Sequence, residues 1–176
     1  MRGFSSKAIN FKYVLIALDI ACQAPSGANF QPWRFVIITD ANIKRRIRDV
    51  CERIEKKFYL NVKGELRKWL PMRGLSWKKP FLEEAPILVL VLSEKKAPYS
   101  TQSVWLAIGY ILRTLEELSL NTVTYTPSIS ERVLSEVGIP DKFRLEAILP
   151  IGISTDEKSK EPRFSLDKVT YANFWG

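Results

Sequence analysis

Histidine is missing from all 176 residues. That absence removes Ser-His-Asp and Cys-His nucleophilic catalysis, HExxH zinc hydrolysis and the histidine proton shuttle together. Cysteine is scarce: Cys22 and Cys51 are the only two, and they form no CxxC pair. Neither a zinc ribbon nor a thioredoxin-type site is therefore available, and the two read as reduced, buried thiols of a cytoplasmic protein. The eight glycines are never two apart, so neither GxGxxG nor the Walker A loop GxxxxGK can be written. Any nucleotide chemistry must come from a fold that holds phosphate by other means. Long apolar runs are lacking too. The run Tyr13 to Leu18, which follows Arg2 and Lys7, is broken by Asp19, and Asp19 also stands where a lipobox before Cys22 needs a Leu-like residue. No stretch reaches the ~20 apolar residues of a membrane span, and no membrane association is expected.

What is present is ordinary for one globular domain over 1–176: 46% hydrophobic, 26% charged, mean hydropathy −0.08. The net charge of +8 admits a nucleic acid, an acidic membrane or a phosphate-bearing cofactor as partner. The basic residues look scattered, and many alternate with Glu, as in "CERIEKK", which reads as a mixed solvated surface. The densest group, "KRRIR" (44–48), is the one feature that would serve a basic nucleic-acid-binding domain. It shares a helix with Ile43, Ile47 and Val50, so it reads more simply as that helix's solvent face, and no nucleic acid is expected.

Apolar positions Phe11, Val14, Leu15, Leu18, Ala21 and Cys22 recur at helical spacing from about Asn10, and the helix must end before Pro25. "PSGANFQPW" is a turn-rich connector into a short strand, 34–39. Asp40 is suited to cap a helix carrying Ile43, Ile47, Val50, Cys51 and Ile54 on one face. Residues 55–80, basic, aromatic and interrupted by Gly64, Pro71 and Gly74, read as a mobile excursion with short helices, part of a lid over about 52–80. "APILVLVLS" (85–93) predicts a buried central strand, followed by a helix over 101–119. "NTVTYT" (121–126) predicts a strand, 128–138 a short helix capped by Ser128 and stopped by Gly138, and "LEAILPIGI" (145–153) a last core strand. The tail from Ser154 is polar and ends in "YANFWG". The pattern is α+β around one sheet.

Several segments, in order, carry a resemblance. "APSGANFQPWRFVIITD" (24–40) looks like the signature of the nitroreductase superfamily. "FLEEAPILVLVL" (81–92), "NTVTYTP" (121–127), "ERVLSEVGIP" (131–140) and "LEAILPIGI" (145–153) are similar to stretches of its iodotyrosine deiodinase branch, and "PRFSLDKV" (162–169) to its C-terminal arginine segment. The family's opening R-x-F-S survives as Arg2-Gly3-Phe4-Ser5. The resemblance implies a nitroreductase-like fold: a central, mostly antiparallel sheet flanked by helices, in a homodimer that exchanges C-terminal tails. It implies FMN as cofactor, NADH or NADPH as electron donor, and a ping-pong cycle ending on a small electron-poor aromatic: a halophenol such as halotyrosine, a nitroaromatic or a quinone. "APS…QPWRF" also resembles the flavin-cleaving benzimidazole synthase of the same superfamily.

Pro25-Ser26-Gly27 supplies a turn with a hydroxyl, a free backbone N–H and no Cβ at glycine, so backbone can approach a phosphate or ring edge. By resemblance, Pro25, Ser26, Gly27 and Asn29 bind FMN, with Ala28 on the substrate side. Arg2 and Arg163 match the family's phosphate- and ring-contacting arginines, whose planar fork suits a dianionic phosphate. Thr124, Tyr125 and Thr126 match the strand end beside the flavin, and the Thr126 hydroxyl is implied to reach its N5, the catalytic contact. In the deiodinase branch a lid Glu, a Tyr four residues later and a distant Lys hold the amino-acid zwitterion. Aligned without a gap, those positions are Ile54, Phe58 and Lys79. One residue along, Glu55 and Tyr59 keep the four-residue spacing on one helix face, leaving two registers open. Trp69, Trp77 and Phe81 are candidates for an aromatic roof over a planar substrate, or for packing between subunits.

Overall fold

A computed structural model of the chain describes residues 3–129, 131–156 and 161–175. Helix α1 (Phe11–Ala21) begins where the Asn10 side chain accepts the Lys12 N–H and buries Val14, Ala17, Leu18 and Ala21. After β1 (Trp33–Ile38), Asp40 caps α2 (Ala41–Asn61) by accepting the Ile43 N–H at 2.9 Å. There follow α3 (Gly64–Met72), α4 (Phe81–Glu84), β2 (Ile87–Glu94), α5 (Ser100–Glu117), the two-residue β3 (Asn121–Thr122), α6 (Glu131–Glu136) and β4 (Phe143–Gly152). The strands form one antiparallel sheet in the order β1-β2-β4-β3.

Strand alternation divides the core into two layers. From β2, Ile87, Val89 and Val91 join α1 and α5 on one face, whereas Leu88, Leu90 and Leu92 join α2, α4 and α6 on the other. Strand β4 changes parity midway. Phe143 and Leu145 face the second layer, but Ala147, Leu149 and Ile151 face the first. The cause is a β-bulge: Leu92 pairs with Leu145 and Val91 with Ala147, leaving Glu146 as the extra residue.

Four expectations are corrected. Residues 55–80 are more helical than foreseen: α2 continues to Asn61, because Glu55, Lys56, Lys57 and Leu60 favour helix and no breaker occurs before Gly64. The strand foreseen over 121–126 is interrupted after Thr122 and returns only as a bridge, Tyr125 opposite Ile148. The register sets Val123 opposite Pro150, which has no N–H to donate at the site where a hydrogen-bonded pair is due. Helix α6 starts at Glu131 instead of beside Ser128. Cys22 is exposed at the end of α1, and only Cys51 is buried.

Candidate active site

Helix α2 turns Cys51, Glu55 and Tyr59, each four residues apart, toward Lys79 and Tyr125. Glu55 and Lys79 are both buried, and their Oε2 and Nζ stand 3.4 Å apart. The Tyr125 hydroxyl donates to Glu55 Oε1 at 3.2 Å. The Lys79 ammonium also donates to the Ser76 carbonyl at 2.6 Å and lies 5.6 Å from the Tyr59 ring centre and 5.7 Å from that of Tyr125. The Lys79 backbone N–H donates to Glu52 Oε1 at 2.7 Å, pinning the 73–80 segment to α2. Of the two registers, Glu55 and Tyr59 are thus the pair beside Lys79; Ile54 is buried in the core and Phe58 is half exposed.

Burial pushes the Cys51 thiol up to about 12, against a smaller lowering by its hydrogen bond with Tyr125. Burial likewise raises the Tyr125 phenol, with Cys51 and Glu55 adding to the effect. Both groups therefore stay protonated near neutral pH, and the Tyr125 hydroxyl acts as a donor. Beside this cluster a cavity of about 310 Å³ is lined by Leu75, Ser76, Lys79, Phe81, Thr124 and Tyr125, among others. That volume lies at the small end of the range for ligand pockets, ~300–1,000 Å³. Residues 41–80 hold thirteen of the 27 basic residues but four of the 19 acidic ones, so the positive excess is concentrated in this stretch of the chain and not scattered.

The first loop differs from expectation in one respect. The Gly27 N–H is not free: it donates to Ser103 Oγ at 3.2 Å. A Cβ at Gly27 would stand 2.8 Å from the Tyr99 ring, so glycine is required there by the start of α5. The Ser26 hydroxyl accepts the Gln31 N–H at 3.0 Å and keeps its own proton to donate. Ala28, Asn29 and Gln31 all have positive φ, at 48°, 56° and 48°. Such local strain persists only where surrounding structure enforces it.

Pro25, Ala28, Asn29 and Thr126 are exposed, while Ser26 and Thr124 are half-buried. Arg163 is exposed and donates to the carbonyls of Glu161 and Pro162. Arg2 lies outside the described residues, but Gly3 and Ser5 are tied by backbone hydrogen bonds to Thr155 and Ile153. The aromatic roof does not assemble: Phe81 is in the core against Tyr125, Trp77 packs under Lys56 and Lys78, and Trp69 meets Arg73 on exposed α3. Sequence reading missed Cys51, Glu52 and Ser76 as members of the cluster. The four-residue spacing from Cys51 to Glu55 was the only local signal.

The "KRRIR" group is not a free basic stripe. Lys44 is buried, with its ammonium 2.7 Å from the Ala85 carbonyl, and burial lowers its pKa. Arg45 and Arg48 pair with Glu83, and Arg46 with Glu136. No helix among the described residues is long and apolar enough to cross a membrane.

The antiparallel sheet between two helical layers, with a cavity between the 74–81 segment and a strand end, defines an α+β architecture. The chain belongs to the Nitroreductase family, whose model matches residues 1–153. It is 50% identical over 163 residues to the iodotyrosine deiodinase of Thermotoga neapolitana, covering 93% of this chain and 88% of that protein. A crystal structure of oxidized iodotyrosine deiodinase bound to FMN and 3-iodo-L-tyrosine superposes with a TM-score of 0.93 at 48% identity, covering 99% of this chain and 94% of that one. A BluB-like flavoprotein from Clostridium difficile shares the fold, with a TM-score of 0.81 at 20% identity over 97% and 93% of the two chains.

Proposed function

We propose that the chain is an FMN-dependent, homodimeric oxidoreductase that reduces an electron-poor aromatic, with halotyrosine the acceptor that fits best. The observation that carries this reading is the buried Glu55–Lys79 pair beside Tyr59 and the 310 Å³ cavity. A carboxylate and an ammonium so placed match the two charges of an amino-acid zwitterion. Glu55 takes the ammonium, Lys79 takes the carboxylate, and Tyr59 packs against the side chain. Halophenols, nitroaromatics and quinones lack those charges and leave the pair with nothing to recognise.

The residues present suit a flavin. The Ser26 hydroxyl, the Asn29 amide, the exposed Thr126 hydroxyl and the exposed Arg163 guanidinium are available to hold it. Arg2, Pro25, Gly27, Thr124 and the backbone of Tyr125 complete the proposed set, and Ala28 lies on the substrate side. When bound, FMN supplies two-electron redox chemistry, accepting reducing equivalents from NADH or NADPH and delivering them to the aromatic in a ping-pong cycle. This chain contributes binding, orientation and, at Thr126, a hydroxyl donor. The reaction is placed in the cytoplasm, where Cys22 and Cys51 stay reduced.

The tail supports a dimer. Phe164, Phe174 and Trp175 are more than three-quarters exposed, and Trp105, Leu106 and Tyr110 on α5 also face out. Apolar surface of this kind calls for a cover, and exchange of tails between two copies supplies it while bringing Arg163 to the partner's site. An FMN seated between subunits at ~100 times its dissociation constant adds about 2.7 kcal/mol, so removing it should lower the melting temperature. The flavin-cleaving alternative rests on likeness of fold alone. The nucleic-acid alternative loses its basic stripe to the pairs just described.

The test is direct. The purified protein should be yellow or take up FMN. After anaerobic reduction it should deiodinate 3-iodotyrosine in preference to a nitroaromatic or a quinone. A colourless protein indifferent to added FMN overturns the cofactor. Turnover of the nitroaromatic or quinone alone overturns the halotyrosine assignment.

A further inference from the structure

We infer that Tyr125 is a positioning and specificity-determining residue, whose hydroxyl holds the Glu55 carboxylate in place to receive the substrate ammonium. The inference rests on the clamp reading above and goes beyond it, because the resemblance assigned Tyr125 to the flavin. Its side chain goes elsewhere. The hydroxyl donates to Glu55 Oε1, leaving Oε2 toward Lys79 at 3.4 Å, and the ring packs edge-on against buried Phe81 with centres 5.7 Å apart.

Behind it stands Cys51, one helical turn before Glu55. Cys51 is fully buried there, so the phenol is packed from behind while its proton goes to Glu55. The backbone of Tyr125 exchanges two hydrogen bonds with Ile148, at 3.1 and 2.8 Å. That fixes the residue to the central sheet, next to Thr126. Glu55, by contrast, sits on α2, which continues into the lid. Tyr125 is thus the tie between the strand end and the lid carboxylate, and it sets how far Oε1 can swing.

The consequence is specific to zwitterions. When an amino acid enters, Glu55 and Lys79 must exchange each other for the substrate's ammonium and carboxylate. During that exchange the Tyr125 bond keeps the freed carboxylate pointed at the incoming charge. An acceptor such as 2-iodophenol needs no exchange and draws nothing from Tyr125.

The experiment uses the FMN-loaded protein with Tyr125→Phe, which keeps the ring and its packing and removes only the hydroxyl. The preference for 3-iodotyrosine over 2-iodophenol is expected to fall about tenfold, the usual loss for one hydrogen bond to a charged group. The loss should appear in KM and in the 3-iodotyrosine Kd read by flavin fluorescence, not in kcat. Cys51→Ala, which opens space behind an intact Tyr125 and loosens its hydroxyl, should move the same ratio in the same direction by a smaller factor. It carries the test if the Phe variant does not fold. Equal losses for both acceptors, or an unchanged ratio in both variants, would overturn the role and leave Tyr125 a packing residue. Wild-type protein with no preference for 3-iodotyrosine would sink the clamp itself, and this role with it.

Discussion

Two buried carboxylates lie on different elements of this molecule and are treated in opposite ways. Glu146, the bulge residue of β4, is saturated: Ser93 and Thr101 hydroxyls and the Arg144 guanidinium reach Oε1 at 2.5, 3.2 and 2.9 Å, and the Trp105 indole reaches Oε2 at 3.1 Å. Burial alone would raise its pKa, but the hydrogen bonds from Ser93, Arg144 and Trp105 outweigh it and hold the group below its ordinary value. Glu55 is met by one neutral donor and one cation, Tyr125 and Lys79, both of which line a cavity. The first arrangement completes a carboxylate so that a bulge can exist; the second leaves it capacity for a ligand. Burial of a charge therefore says little about its use until its partners are counted.

The comparison can be broken most forcefully at Glu146. Replacing it with Ala takes the acceptor from the buried Ser93 hydroxyl and the Trp105 indole and the counter-charge from Arg144, and should cost about 3 kcal/mol in denaturant unfolding. A near-neutral result would mean that water replaces the carboxylate and that the bulge does not need it. The pH dependence carries the matching sign. With its folded pKa lowered, Glu146 stabilises the protein above the unfolded value near 4.5, and that contribution is lost as pH falls through the folded pKa. Acid unfolding should be less steep in Glu146→Gln, which loses that titration.

At Glu55 the larger effect should be on recognition. Glu55→Gln should raise KM for 3-iodotyrosine at least tenfold, because the ammonium loses its counter-charge, while 2-iodophenol should be affected far less. Steady-state kinetics with both acceptors decides it. The double change Glu55→Gln with Lys79→Met should then leave stability equal to wild type or up to about 1 kcal/mol higher, since a buried ion pair rarely outweighs its desolvation. A double variant several kcal/mol less stable would make the pair structural and erase the contrast with Glu146.

Cys51 gives a signal only in alkaline solution. Its pKa is raised from 9.0 to about 12 by burial, so the folded state favours the thiol. Stability should be fully present below pH 9 and fall above it by about 1.4 kcal/mol per pH unit until about pH 12. Cys51→Ala should remove that share of the alkaline slope in thermal melts recorded across the range.

Much of this arrangement could be read along the chain, and what could not follows a pattern. The Asp40 cap, the start of α1 near Asn10, the uncharged apolar run of β2 and the helix after it are local features, and each formed near its expected bounds. Glu55 and Tyr59 were visible because four-residue spacing is a property of one helix. Their meeting with Tyr125 was not, because the bond from Glu55 to Tyr125 spans 70 residues. The same holds for the β3 interruption, which depends on Pro150 standing opposite Val123. It holds too for the bulge at Glu146, which appears only once β4 is paired with β2. The Gly27 N–H was taken as free because Ser103, its acceptor, is 76 residues away. Local chemistry was legible, whereas pairing across the fold was not.

The most direct measurement is a crystal structure of the FMN-loaded protein with 3-iodotyrosine. The ammonium is expected within hydrogen-bonding reach of Glu55 and the carboxylate within reach of Lys79, with the Tyr125 hydroxyl still on Glu55 and the direct Glu55–Lys79 contact opened. A bound ligand whose amino and carboxyl groups point to solvent, with Glu55 and Lys79 still joined, would contradict the account.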